Sequence, residues 1–222
     1  MGEIVLRRAP SKSSVIRTGY AFVGVVLIGL GSAVLRVGDV GLDPYTALNM
    51  GISSLLGWSL GEYQMLSNLV LFIPMVIWGR KYIGPGTVIN MILVGYFIDV
   101  FAGILGPLAS AGQTPLRMTA FFLVGISVIG FGASAYMSAG VGTAPYDALA
   151  PMIVDRTGLS YQRVRVPQDI LVVALAILAH GPVGVGTVMT AFFNGPLIQF
   201  FTDRIHTPLV QRIVGHHIER DT

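Results

Sequence analysis

The longest nearly uncharged part of the sequence constrains the fold most. From Tyr82 to Val154 the only charged residues are Asp99, Arg117 and Asp147. Over the whole chain 53% of the residues are hydrophobic and 11% are charged, whereas a soluble domain carries about 25% charged residues. Because backbone polar groups in lipid must pair within the chain, helices are the expected elements. We therefore expect an all-α polytopic membrane protein and exclude soluble folds.

An internal repeat of about half the chain is the second constraint. When residues 24–61 are laid over residues 125–162, Gly, Pro and Tyr recur in register. Identical pairs include Gly24/Gly125, Gly31/Gly132, Gly41/Gly142, Pro44/Pro145, Tyr45/Tyr146 and Gly57/Gly158. After a one-residue slip the match resumes with Gly84/Gly184, Gly86/Gly186, Thr87/Thr187 and Gly95/Gly195. The chain is therefore expected to contain two copies of one unit.

The sequence pattern of each copy predicts three long helices and one short helix. The long helices are expected at 17–37, 62–78 and 87–105 in the first copy, and at 118–138, 167–179 and 187–202 in the second. The short helices are expected at 44–56 and 145–157. A full crossing needs about 20 residues at 1.5 Å per residue, and these helices are shorter. We therefore predict that each is a re-entrant half-helix.

Three full crossings per copy is an odd number, so the second copy is expected to be inverted relative to the first. With the N-terminus inside, only Arg36 and Arg117 of the 14 basic residues face outward, as the positive-inside rule requires. The alternative is eight spans as a parallel repeat, which moves Arg80 and Lys81 outward. Helix length favours six spans more strongly than charge does.

These interpretations divide the chain into five parts. They are a cytoplasmic N-terminal tail (1–16), membrane repeat 1 (17–106), an external linker (107–117), membrane repeat 2 (118–204) and a cytoplasmic amphipathic C-terminal tail (205–222). The histidines of the last part are expected to be solvated.

The break before each short helix predicts a binding site. Asp43 is placed to cap the first short helix and Pro44 to begin it, while Asp147 lies in the first turn of the second. Half-helices that start at membrane depth direct free N–H groups towards a solute. The residues expected to line a midplane substrate site are Asp43, Pro44, Tyr45, Thr46, Asn49, Thr143, Pro145, Tyr146 and Asp147. The alternative is that the two acids only cap their helices.

Further polar residues lie within the predicted long helices. Asp99 and its repeat partner Gln199, and Asp169 and its partner Asn68, are candidates for ion coupling or a polar pathway. The alternative is that the two acids lie at the water interface and pair with Arg or with helix ends.

The motifs of the repeat also carry a resemblance to a known family. Residues 41–48 (GLDPYTAL), 57–61 (GWSLG) and 86–99 resemble the YczE/YitT-like family of bacterial integral membrane proteins. Its members commonly have a Gly-x-x-Pro-Trp-Asp-x-Leu stretch. In this chain Tyr45 and Tyr146 replace the Trp and Thr46 replaces the first acid, while Asp147 retains the second. The resemblance implies a multi-pass protein of the bacterial plasma membrane and implies no substrate.

The architecture favours a secondary transporter or permease for a small zwitterionic or cationic solute. A channel and a membrane scaffold without transport are the alternatives. No Cys is present and no catalytic or phosphate-loop motif is visible, so we expect no enzyme activity, metal or cofactor. The expected partners are the lipid bilayer and the solute, with no nucleic acid, and a homodimer stays open. Both termini are expected in the cytoplasm.

Overall fold

The computed structural model describes residues 12–109, 114–210 and 212 of the chain. In these residues it contains helices and no strand. The helices are α1 (Lys12–Val37), α2 (Pro44–Leu56), α3 (Leu60–Trp78), α4 (Pro85–Ala109), α5 (Pro115–Ala139), α6 (Pro145–Thr157), α7 (Tyr161–Leu178) and α8 (Val185–Phe201). The expectations for residues 1–11, for the central part of the linker and for residues 213–222 lie outside the described residues.

Four helices in the described part of the chain are long and apolar enough to cross a membrane. They are Ser13–Val37, Leu60–Trp78, Pro85–Leu108 and Pro115–Ala139. Of the two other helices expected to cross, α7 carries Arg163, Arg165 and Asp169, and α8 has 17 residues. The expectation of an all-helical membrane protein is therefore confirmed.

The short helices have the predicted bounds because their start and stop signals are local. Pro44 occupies the first position of α2, and Gly57 ends it in the left-handed conformation, at φ 71°. The start of α7 differs from the prediction, since the helix begins at Tyr161 and Pro167 lies inside it. Proline removes one backbone donor and need not end a helix whose other hydrogen bonds form.

Helices α1 and α5 pack closely and run antiparallel. A Cβ on Gly24 would lie 2.7 Å from the carbonyl oxygen of Gly132, and a Cβ on Gly31 would lie 2.8 Å from that of Gly125. The start of α1 therefore meets the end of α5. Small residues permit such close approach of helices in a membrane.

The segments before α2 and α6 each pair with a loop from the other half of the chain. The Gly186 amide donates to the Val40 carbonyl at 2.7 Å, and the Gly86 amide donates to the Val141 carbonyl at 2.8 Å. These two contacts join positions that the sequence repeat aligns. The break before each short helix is thus held by the segment at the start of α4 or α8 in the other half.

The chain after α8 differs from the predicted solvated tail. A π-helix, Thr202–His206, follows directly. His206 is 1% exposed and packs against the rings of Tyr20 on α1 and Phe131 on α5. Phe131 in turn contacts the ring of Phe201 at the end of α8. The expectation that the histidines are solvated is therefore wrong for His206, because its imidazole completes an aromatic cluster between three helices.

Candidate functional site

The first turns of α2 and α6 form the centre of the candidate site. Asp43 caps α2, and its Oδ1 accepts a hydrogen bond from the Thr46 amide at 3.0 Å. In α6 the acid is instead Asp147, in the first turn. The helices begin at Pro44 and Pro145, which are both buried. Amide groups at a helix start have no partner within the helix, so each start favours electron-rich groups.

A pair of stacked tyrosines joins the two helix starts. The ring centroids of Tyr45 and Tyr146 are 4.4 Å apart and the ring planes differ by 9°. The Tyr45 hydroxyl donates to Asn68 Oδ1 at 2.9 Å and lies 3.0 Å from Ser67 Oγ. The Tyr146 hydroxyl donates to Asp169 Oδ1 at 2.7 Å. Each tyrosine therefore anchors its short helix to the middle of the following long helix, α3 or α7.

Arg165 links the two acids on the α6–α7 side of the stack. Its Nη1 lies 3.0 Å from Asp147 Oδ1 and its Nε lies 2.9 Å from Asp169 Oδ2. The guanidinium carbon is 4.9 Å from the centroid of the Tyr146 ring. Asp43 is close enough to Asp147 and Arg165 to interact with both electrostatically. Two carboxylates thus contact one guanidinium, and these charged contacts carry a net negative charge.

The corresponding positions on the α2–α3 side are neutral and buried. The repeat aligns Thr46 with Asp147, Gln64 with Arg165 and Asn68 with Asp169. The three neutral residues are 4%, 3% and 2% exposed. Within the described part of the chain, Gln64 Oε1 is buried without a hydrogen-bond partner. The two sides of the stack therefore share a backbone plan and differ in charge.

Two other predicted residues have mainly backbone partners. Asn49 Nδ2 donates to the Tyr45 carbonyl at 2.7 Å, one turn earlier in the same helix. The Thr143 amide donates to the Tyr82 carbonyl at 2.9 Å. The Asn49 bond lies within α2, the Thr143 bond holds the segment before α6, and neither contact is with the charged groups.

Asp99 lies apart from the stacked tyrosines. Its Oδ1 is 2.7 Å from Arg36 Nη1, and its Oδ2 accepts from the Gly61 amide at 2.8 Å. Gly61 is in the first turn of α3, about two turns before Asn68, so Asp99 lies level with the start of α3 rather than with its middle. Gln199 is exposed on α8. The four residues predicted for a polar pathway are therefore not brought into one cluster.

Sequence reasoning about the site missed Arg165. The signal was present, because Arg165 and Asp169 are four residues apart on one helix and such pairs face each other. The tyrosine stack had no such signal, because it depends on how α2 and α6 meet in three dimensions.

The site is suited to noncovalent recognition. It offers carboxylates, amide oxygens, aromatic faces and one guanidinium. Among the residues that the structure describes, no group of three or more His, Asp or Glu side chains could hold a metal ion.

Comparisons with known proteins cover most of the chain. Residues 15–203 match the model of a family of unknown function, DUF6198. The uncharacterized membrane protein YczE of Bacillus subtilis (strain 168) is 29% identical over 187 residues, which are 84% of this chain and 85% of the relative. An uncharacterized protein of Haemophilus influenzae is 32% identical over 81% of this chain and 80% of its own length. The uncharacterized protein YyaS of Bacillus subtilis is 26% identical, with coverages of 87% and 93%.

No solved structure matches the chain. The family match and the YczE relative confirm the resemblance to YczE that the motifs of residues 41–48 and 57–61 carry. The chain therefore belongs to the DUF6198 family and is a YczE-like membrane protein.

Proposed function

We propose that the protein is a secondary transporter or permease for a small zwitterionic or cationic solute. The solute binds near the midplane of the bilayer, between the starts of α2 and α6. The observation that carries the proposal is the Tyr45–Tyr146 stack, which brings both helix starts together at the middle of α3 and α7. Many transporters place their substrate where broken helices meet in this way.

The charges around the stack favour a cation over an anion. Among the described residues, Asp147 and Asp169 share one basic partner, Arg165, so two carboxylates face a single guanidinium. Gln64 Oε1 and Gln168 Oε1 are buried acceptors without a partner among the described residues. A buried acceptor without a donor costs free energy, so an ammonium or amine group of a solute supplies what these atoms lack.

The packing of α1 on α5 supports inverted repeats. The repeat aligns Gly24 with Gly125 and Gly31 with Gly132, and in space Gly24 meets Gly132 while Gly31 meets Gly125. This exchange of partners between antiparallel helices is what a two-fold axis in the membrane plane produces. The crossed contacts of Val40 with Gly186 and of Val141 with Gly86 follow the same rule.

The two halves differ at one seam, and this difference supports alternating access. In the first half α3 and α4 are closed on each other. A Cβ on Gly95 would lie 2.9 Å from Gly61 Cα, and Asn68 Nδ2 donates to the Met91 carbonyl at 3.1 Å. Asp99 also bonds to the Gly61 amide across this contact. We call this contact, formed by Gly61, Asn68, Met91, Gly95 and Asp99, the α3–α4 seam.

The corresponding α7–α8 seam, formed by Gln162, Asp169, Gly195 and Gln199, is open. Within the described part of the chain nothing lies within 4 Å of a Cβ built on Gly195, and α7 and α8 do not pack closely. Gln162 and Gln199 are both exposed. In an inverted-repeat transporter, exchange of the two seam conformations opens the site to the other side of the membrane.

Asp99 and Asp169 are the acids of the two seams and the proposed coupling residues. Loss of the Asp99 contacts with Arg36 and with the Gly61 amide favours opening of the α3–α4 seam. Asn68 and Gln199, their partners in the repeat, are neutral amides, so coupling to an ion uses a different acid at each seam.

The finer topology belongs to the same proposal. We propose six crossings, two re-entrant helices and cytoplasmic termini, in a protein of the bacterial plasma membrane. Lys81 Nζ lies 2.8 Å from Asp155 Oδ2, and Arg156 stacks on Trp78. The α3–α4 loop and the end of α6 are therefore on one side, as the six-span arrangement requires. Transport proceeds without chemical conversion of the solute.

A ligand screen on protein in liposomes tests the proposal. The melting temperature is measured with amino acids, amines, sulfur compounds and organic anions, and uptake of any stabilising class is then measured. A solute at 100 times its Kd stabilises by about 2.7 kcal/mol, which gives a shift of several degrees. We expect one cationic or zwitterionic class to stabilise the protein and to be taken up. Asp147→Asn is expected to abolish both effects.

Asp155→Asn is the matched control. Asp155 lies on the same helix as Asp147 and pairs with Lys81 outside the site, so this variant is expected to retain uptake. Stabilisation by none of the solute classes in well-folded protein contradicts the proposal and favours the scaffold alternative. Nonsaturating ion currents favour the channel alternative.

A further inference from the structure

The cation position of the site is filled by the chain itself. The Arg165 guanidinium contacts a carboxylate on each of two helices, Asp147 on α6 and Asp169 on α7, and lies against the Tyr146 ring. Carboxylates that accept hydrogen bonds from a guanidinium, together with an aromatic face, are the groups that recognise planar organic cations. The arrangement is therefore that of a guanidinium bound in a site.

The other half of the chain shows that this trio is not needed to anchor a short helix. Tyr45 binds Asn68 at 2.9 Å with the neutral Gln64 at the position aligned with Arg165. The same anchoring is thus achieved without a charge. The carboxylates and the guanidinium need another explanation than support of Tyr146.

The charged trio is also accessible. The side chains of Asp147, Arg165 and Asp169 are 55%, 24% and 17% exposed. Arg165 lies one turn from the start of α7 at Tyr161, so its long side chain can turn towards the helix end and leave the carboxylates. Their neutral counterparts on the α2–α3 side are buried.

We infer that Asp147, Asp169 and the Tyr146 ring form a subsite for a planar organic cation of the guanidinium or amidinium class, which Arg165 occupies until the solute displaces it. This inference rests on the proposed function and names the solute class. Arg165 pairs with both carboxylates and offsets one of their two charges while the subsite is empty of solute. It also sets the selectivity, because a solute must match its contacts in order to replace it.

Because Arg165 competes with the solute, the apparent affinity is the intrinsic affinity multiplied by the fraction of molecules in which the subsite is free. If Arg165 fills the subsite nine-tenths of the time, its removal tightens binding about tenfold. If Arg165 had a purely structural role, its removal would not tighten the binding of a solute by the folded protein.

Guanidinium chloride at millimolar concentration, with NaCl at matched ionic strength as reference, is the probe. The melting temperature of the full chain in detergent is titrated for the wild type, Arg165→Gln, Arg165→Lys and Arg163→Gln. We expect a saturable rise in the wild type, about tenfold tighter binding in Arg165→Gln and an intermediate affinity in Arg165→Lys. Arg163 is exposed two residues away, so Arg163→Gln is expected to bind as the wild type does.

Asp169→Asn is expected to abolish the saturable rise. The inference is overturned if the wild type shows no saturable response, or if Arg165→Gln binds guanidinium no more tightly than the wild type. If Arg165→Gln does not fold, the guanidinium affinity of Arg165→Lys, which keeps the charge, is compared with that of the wild type instead.

Uptake of a solute with unchanged guanidinium binding in the Arg165 variants contradicts the inference alone. Tightened guanidinium binding without uptake of any solute contradicts the transport proposal alone.

Discussion

At the scale of single residues, the two stacked tyrosines differ in the charge of their acceptors. Tyr146 donates to the Asp169 carboxylate at 2.7 Å, whereas Tyr45 donates to the Asn68 amide oxygen at 2.9 Å. Hydrogen bonds to charged groups contribute about 1.5–3 kcal/mol, and neutral ones about 0.5–1.5 kcal/mol. The hydrogen bond of the Tyr146 hydroxyl is therefore expected to contribute more to the free energy of unfolding than that of the Tyr45 hydroxyl to Asn68.

Tyr146→Phe is therefore expected to destabilise the protein more than Tyr45→Phe, by up to about 1 kcal/mol, because Tyr45→Phe also removes the contact with Ser67 Oγ at 3.0 Å. Each variant keeps the aromatic ring and so preserves the stack, which makes the pair a matched comparison. Thermal unfolding in one detergent measures the difference. Equal losses, or a larger loss in Tyr45→Phe, would show that the Asp169 carboxylate does not strengthen the bond.

Local signals decided which site residues could be predicted. Asp43 and Pro44 form a start signal that acts over a few residues, so their cap and helix position follow from the sequence. Arg165 contacts Asp147 across two helices, and that distance depends on packing. Asp99 has its partner Arg36 on a helix that is 63 residues away in sequence, so the pairing could be stated only as an alternative.

At the scale of helices, the antiparallel α1–α5 pair depends on the absence of side chains at its crossing points. A Cβ on Gly132 would lie 2.7 Å from Leu27 Cβ and 2.8 Å from the Gly24 carbonyl oxygen. Because backbone cannot move aside as a long side chain can, the two helices must separate to admit a larger residue.

Gly132→Leu is accordingly expected to cost about 1–3 kcal/mol, as overpacking of a close contact does. Gly103→Leu is the control, since nothing in the described part of the chain lies within 4 Å of a Cβ on Gly103 and the residue is exposed. The free energy of unfolding, measured for both variants in the same micelles, makes the comparison. Equal stabilities would mean that the close crossing is not under steric constraint.

The sequence predicts the helices themselves more accurately than it predicts where some of them begin. The starts of α2 and α6 carry proline and their ends carry glycine in the left-handed conformation. In α7 the sequence pattern predicts a start at Pro167, whereas the helix begins at Tyr161, after Ser160, and contains the proline. Hydrogen bonds elsewhere in the helix outweigh one missing donor, and the sequence pattern does not show this balance.

At the scale of the whole molecule, two helix contacts that the sequence repeat aligns differ in packing. The α3–α4 seam is closed by the Gly61–Asp99 hydrogen bond and by contact of Gly61 with Gly95. The α7–α8 seam is open in the described residues. The sequence repeat aligns the two seams, and their difference could not be predicted because it depends on how the helices pack in three dimensions.

Cross-linking of the open seam tests alternating access most directly. Gln162 and Gln199 align with the bonded pair Gly61 and Asp99, so they come together when the α7–α8 seam closes. The chain has no Cys, which makes the double variant Gln162→Cys/Gln199→Cys specific for a short, reducible thiol cross-linker. Tyr82→Cys/Asp155→Cys, at a contact present in the structure, is the positive control.

We predict that in liposomes the Gln162→Cys/Gln199→Cys pair cross-links, that solute uptake then stops, and that reduction restores it. The control pair is expected to cross-link without loss of uptake. If the control pair reacts and the seam pair never does, or if the cross-linked seam still transports at the wild-type rate, the central claim of exchange between the two seams is contradicted.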